Sequence, residues 1–229
     1  MIEISLPLLN LNQLQSLNKS SKMKTIYTNH TYSYLSLRKS VGVIAILLPF
    51  VVSVITLFNG VELQSYYATA RDIVVGAMCA ISLLMFFYTG YSGIDNWAGN
   101  AVGLFALGMA WFPPPSVGTE LGWVSTIHFI SGFLFFLTLS FFCLFLFTKS
   151  NVEKDLMTIE KKKRNKIYII CGIAILLCLA LMSYVSLNET ISDDYSTLLV
   201  YVAQSIASIA FGISWLVKGK ILSKKVPLD

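Results

Sequence analysis

Long apolar runs leave this chain few ways to fold. Val41–Phe58, Ile73–Tyr91, Val124–Phe147, Ile167–Leu187 and Leu198–Val217 contain no Lys, Arg, Asp or Glu. Each is about as long as a helix that crosses a bilayer. Lipid offers no partner for backbone N–H and C=O groups, so such runs fold as helices that bond internally. A sixth run, Trp97–Phe112, spans roughly 24 Å at the helical rise, short for a hydrocarbon core of ~30 Å. It is expected to sit inside the bundle or to borrow length from its polar ends. Only 13% of the residues are charged, about half the usual share in a soluble domain. The reading is an all-α, polytopic membrane protein with six transmembrane helices.

Charge predicts the orientation. Lys19, Lys22, Lys24, Arg38 and Lys39 precede the first run. Lys149, Lys154, Lys161, Lys162, Lys163, Arg164 and Lys166 lie between the fourth and fifth, and Lys218, Lys220, Lys224 and Lys225 follow the sixth. With six crossings all of these fall on one side, and only Arg71 falls on the other. The positive-inside rule then places both termini in the cytoplasm. The expected organisation is a polar tail over 1–37, a membrane domain over 38–217 and a basic tail over 218–229. Ile4, Leu6, Leu8, Leu9, Leu11 and Leu14 would suit either an interfacial helix or a disordered tail. No secretory leader is expected, because the first long apolar run begins late and lacks a small-residue cleavage site.

The third run reads as a packing hub. Gly99, Gly103, Ala106 and Ala110 recur at spacings of four, three and four, which puts small residues on one helix face. Small faces let helices approach closely in lipid. Trp97 and Trp111 mark its ends as interfacial aromatics do, and Pro113-Pro114-Pro115 stops it. Asp95 or Asn96 is the expected N-cap. Asn100, one turn deeper, would bridge helices or line a polar cavity. Pro49 is expected to kink the first span, its freed carbonyl met by a neighbouring helix.

Three stretches carry a resemblance: Tyr66-Tyr67-Ala68-Thr69-Ala70-Arg71-Asp72-Ile73-Val74-Val75-Gly76, Gly99 to Gly108, and Ile127-His128-Phe129-Ile130-Ser131-Gly132. Together they resemble an uncharacterised bacterial family of six-span integral membrane proteins, a domain of unknown function. That family is distantly like lipid-related and ceramidase-like membrane proteins. The resemblance covers residues 38–217, implies a multi-pass protein of the bacterial inner membrane, and points to no particular activity.

The sharpest candidate site is on the side away from the basic loops. Tyr66, Tyr67, Arg71 and Asp72 lie at the mouth of the second span, and His128 lies about one turn inside the fourth. An ionisable group within a membrane is costly and is by default a functional candidate. The expected arrangement has Asp72 meeting His128 while Arg71 reaches the headgroups, flanked by Tyr66 and Tyr67. Structural readings weigh against this, with His128 bonded to a neighbouring helix and Asp72 capping the second span. The ligand-binding set is therefore Tyr66, Tyr67, Arg71, Asp72, His128 and Asn100, and membrane lipids are the expected partners.

The favoured function is binding or sensing a lipid or small amphiphile in an intramembrane pocket. The alternatives are a membrane-embedded hydrolase or transferase using His128 and Asp72, and a small-molecule transporter. Metals and cofactors are not expected. Zinc chemistry wants three protein ligands, and His30 lies across the membrane from His128. Cys79, Cys143, Cys171 and Cys178 sit in apolar runs and read as small hydrophobes. The run Lys161–Arg164 with Lys166 reads as topology or as a site for anionic headgroups. Nucleic-acid binding lacks a fold or an aromatic platform. A homo-oligomer is compatible with this reading.

Overall fold

The computed structural model describes residues 36, 39–62, 66–90, 92–115, 122–150, 158–187 and 193–224. These form six helices and no strand: α1 (Lys39–Phe58), α2 (Tyr66–Phe86), α3 (Gly93–Trp111), α4 (Trp123–Phe141), α5 (Ile159–Leu187) and α6 (Asp193–Lys224). A π-helical turn, Phe142–Leu146, extends α4. The apolar residues from Ile4 to Leu14 lie outside the described residues, as do Lys19, Lys22, Lys24, His30, Arg38, Lys154 and Lys225.

Five of the six helices are long and apolar enough to cross a membrane. α3 is not among them, because Asp95, Asn96 and Asn100 dilute its apolar character. Several helix limits also differ from expectation. α2 starts at Tyr66, so Arg71 and Asp72 lie within the helix rather than before it. α5 and α6 extend past their apolar cores into charged sequence, because the helical ladder continues wherever water can solvate the side chains. The N-cap of α3 is Ser92, not Asp95 or Asn96. Asp95 sits at the third helical position, and its Oδ2 accepts from the Ser92 N–H at 3.0 Å, the returning half of a capping box.

Inter-helix contacts give the direction of each helix. At one end the Tyr67 ring faces His128, and at the other the Tyr88 ring meets Phe142. α2 and α4 therefore run parallel, and α3 runs back between them. Ser82 on α2 donates to the Gly103 carbonyl at 2.8 Å, while Met85 lies beside Gly99, as antiparallel neighbours require. α6 runs with α2 and α4: Tyr66 bonds Gln204 near one end, and Tyr88 packs on Trp215 near the other. The result is an up-and-down bundle.

α3 turns its small face inward. Val102 and Ala106 are fully buried, and Ala98, Gly99, Gly103 and Ala110 are buried with them. A Cβ added at Gly99 would stand 3.1 Å from the Met85 carbonyl, and one at Gly103 equally close to that of Ser82. These two positions let the backbones of α2 and α3 touch.

A second close seam joins α1 to α6. A Cβ at Gly212 would lie 2.6 Å from Ile46 and 2.7 Å from the Gly42 carbonyl. Pro49 is inside α1, so the Ala45 carbonyl has no N–H four residues on to accept from. Ser208 of α6 supplies the missing donor at 2.6 Å. Tyr201 Oη donates to the Pro49 carbonyl at 2.7 Å and lies 2.6 Å from Ser53 Oγ.

The core is densest toward the end that carries the lysines. Tyr88, Phe142, Phe147, Tyr168, Phe211 and Trp215 are all buried there, their rings 5.2–5.7 Å apart in edge-on or tilted pairs, as aromatic quadrupoles prefer. Phe50, Phe58, Phe87, Phe133 and Phe145 point outward, where lipid would cover them.

Candidate functional site at the end away from the lysines

α3 ends at Trp111 because Pro113-Pro114-Pro115 has no N–H groups to continue the ladder. Its last carbonyls are then orphaned. His128, near the start of α4, meets one of them: its Nδ1 lies 2.7 Å from the Phe112 carbonyl. A carbonyl only accepts, so that nitrogen carries the proton. The Met109 backbone is a second partner of the ring. His128 is 8% exposed, and its ring is bordered by Phe129 at 5.9 Å and by Tyr67 at 6.2 Å, both edge-on.

Tyr67 is the unusual member of this cluster. Its Oη is buried and has no hydrogen-bond partner among the described residues. Tyr66 points elsewhere, since adjacent helical positions diverge by about 100°. Its ring packs tilted against Tyr201 at 4.5 Å, and its Oη donates to Gln204 Oε1 at 3.0 Å. Tyr66 thereby joins the seam of Ser53, Tyr201 and the Pro49 carbonyl. The first turn of α2 sends one tyrosine to α6 and the other to α4.

The remaining residues of the sequence-derived set fall away from this cluster. Asp72 is exposed and meets neither His128 nor Arg71, and Arg71 is exposed too. The cause is local. Asp72 lies five residues beyond Tyr67, and between them Ala70 leaves helical geometry at φ −114° and ψ 21°. Asn100 is also exposed and lies about 18 Å along α3 from Phe112. It lines no cavity with His128. Trp111 and Trp123 are exposed at this end, as interfacial aromatics are.

Sequence reasoning missed the Phe112 carbonyl, Ser53, Tyr201 and Gln204. The last two had a signal: Tyr201, Gln204 or Ser205, and Ser208 recur at helical spacing and mark one polar stripe on α6. Among the described residues no three His, Cys, Asp or Glu side chains gather as a metal site.

The opposite end is closed differently. Lys161 and Lys218 each place Nζ 3.4 Å from the Phe147 carbonyl, and Lys161 also reaches the Lys149 carbonyl at 3.2 Å. The π turn leaves these carbonyls at the end of α4, and the ammonium groups cap them. Lys218 also stands 5.5 Å over the Phe147 ring, and Lys149 donates to Ser92 Oγ at 3.2 Å. Arg164 pairs with Glu160 at 3.6 Å.

The fold defines a class, that of helical multi-pass integral membrane proteins. Comparison of the chain with protein-family models, with curated proteins and with solved structures finds no match.

Proposed function

We propose that this protein crosses the membrane six times, with both termini on the basic, cytoplasmic side, and binds the polar head of a lipid or small amphiphile between α2, α3 and α4. The carrying observation is the Tyr67 hydroxyl, buried beside His128 without a partner. A buried unpaired hydroxyl costs about 1–3 kcal/mol, and a ligand's oxygen or nitrogen would recover it. Lipid tails would lie along the apolar outer faces of the same helices. The resemblance to six-span bacterial proteins agrees with this reading and would put the protein in the inner membrane.

Support for the sixth crossing is topological. α2 and α4 run parallel, so a chain that crosses in both must return between them, and α3 makes that return. The described lysines and Arg164 cluster at one end. Single cysteines at Ser150 and Lys220, with the four native thiols replaced, should be labelled only from the cytoplasmic face, and one at Gly122 only from outside. Labelling of Ser150→Cys from outside would overturn the topology.

The hydrolase or transferase alternative needs Asp72 at His128, and the exposed position of Asp72 does not favour it. Ligand binding is tested by purifying the protein in nanodiscs made from bacterial lipid extract and identifying retained lipid by native mass spectrometry. Tyr67→Phe and His128→Ala should each reduce the retained species several-fold. Equal retention by both variants and the native protein would refute the binding site.

A further inference from the structure

We infer that α3 pairs with α3 of a second copy of this chain, and that Asn100 hydrogen-bonds its own counterpart across a two-fold axis along the membrane normal. The inference rests on the reading above in which α3 crosses the bilayer.

The outward face of α3 is an ordered stripe. Trp97, Leu104 and Trp111 are spaced by seven and are 78%, 60% and 66% exposed. Asn100, three residues after Trp97, is exposed on the same face. This is the spacing of the seam by which two helices pack side by side. The opposite face, with Gly99, Val102, Gly103 and Ala106, is already occupied by the bundle.

Asn100 is at a depth where lipid tails are expected. Gly99 lies against Met85 and Tyr88. Apolar side chains stay exposed farther toward the lysine end than that level, with Ile94 a turn earlier on α3 and Phe145, beyond the Phe142 that meets Tyr88, past the end of α4. If the apolar part of α3 began only after Asn100, Ala101–Phe112 would supply about 18 Å against a core of ~30 Å. A crossing α3 therefore carries Asn100 into the hydrocarbon.

Several hydroxyls on the exposed or half-buried faces turn back on their own helix. Thr126, Thr138 and Ser183 each donate to the carbonyl four residues earlier, at 2.7–3.0 Å. Asn100 makes no such bond and has no other partner among the described residues. A carboxamide has both a donor and an acceptor, so two copies related by a two-fold axis satisfy each other with no third group. A two-fold contact uses the same patch on both copies, and one Asn in an apolar seam fixes pairing and register. This self-complementarity selects a second copy over an unrelated helix.

The test uses the full chain in lipid nanodiscs and in mild detergent. The mass measured by light scattering should be twice the 25.4 kDa of one chain. Asn100→Leu should raise the dissociation constant roughly tenfold or more, the scale of an interhelical amide pair in lipid, while Asn100→Gln should stay dimeric. In a background without native cysteines, oxidation of Leu104→Cys should give a disulfide-linked dimer, and Phe58→Cys on α1 should not. Because Leu104→Cys keeps Asn100, it decides the matter even if Asn100→Leu does not fold. A monomer with no cross-link at Leu104→Cys, an equal cross-link at Phe58→Cys, or a folded Asn100→Leu dimer of unchanged affinity would overturn the pairing. Cysteine labelling separates the two failures. Termini on opposite faces would remove the six-crossing premise, whereas termini on one face with a monomeric mass would remove the pairing alone.

Discussion

The two ends of the bundle solve the same problem in opposite ways. At the lysine end six aromatic rings fill the interior, and two ammonium groups cap the carbonyl left by the π turn. At the other end fewer of the rings are buried, a histidine takes up the last turn of α3, and a tyrosine hydroxyl is left without a partner. A filled, capped end resists change. An end holding an unused hydrogen-bonding group can gain by taking up something else. Arg164 Nε at the lysine end is also buried without a hydrogen-bond partner, so the difference lies in how much aromatic surface each end buries, and on the reading proposed above the end that buries less receives the ligand.

Substitutions can break that contrast. The largest loss is expected from Trp215→Ala. Its indole touches Tyr88, Phe142, Phe147 and Phe211, and removing a buried aromatic side chain costs about 3–5 kcal/mol. Thermal unfolding in detergent should show the largest drop of the series, and native-like melting would end the claim that this end holds the bundle. Next comes Gly212→Leu. Its side chain would enter a backbone contact already filled by Ile46 and the Gly42 carbonyl, so about 1–3 kcal/mol of overpacking is expected. Gly103→Leu should act similarly through the Ser82 carbonyl and Phe86. If both variants melt like the native protein, neither seam is as close as described.

Smaller effects sharpen the comparison. Ser208→Ala removes the donor to the Ala45 carbonyl, and the expected loss is about 1 kcal/mol, the range of interhelical hydrogen bonds in membranes. Restoring the amide donor with Pro49→Ala in the same chain should recover most of it. Tyr67→Phe should change stability least, by under about 0.5 kcal/mol in either direction, because the lost hydroxyl had no partner. A clear destabilisation by Tyr67→Phe would show that the hydroxyl is already satisfied, and the two ends would then differ less than described.

Much of the fold was legible in the sequence, because lipid imposes one requirement on every crossing segment and apolar runs report it directly. Gly99 and Gly103 announced a close face in the same way, and Pro49 announced a carbonyl in need of a donor. The donor itself was not legible: Ser208 lies far along the chain, and nothing local to α1 points to it. The site was read less well for a geometric reason. Tyr66, Tyr67, Arg71 and Asp72 look like one group in the sequence, yet helical rotation sends the tyrosines to different neighbours. The departure at Ala70 from helical geometry then shifts the phase of the residues that follow. Even without it, five residues of regular helix turn Asp72 about 140° from Tyr67 and so away from His128.

The proline in α1 also bears on how the protein is made. α1 carries a carbonyl that its own ladder cannot satisfy, and the hydroxyl that completes it belongs to α6, which is synthesised well after it. Until α6 is synthesised, that carbonyl needs water, the insertion machinery or a temporary neighbour. α1 is therefore expected to linger near the membrane entry site instead of diffusing into lipid, and this seam of the bundle closes only when α6 arrives.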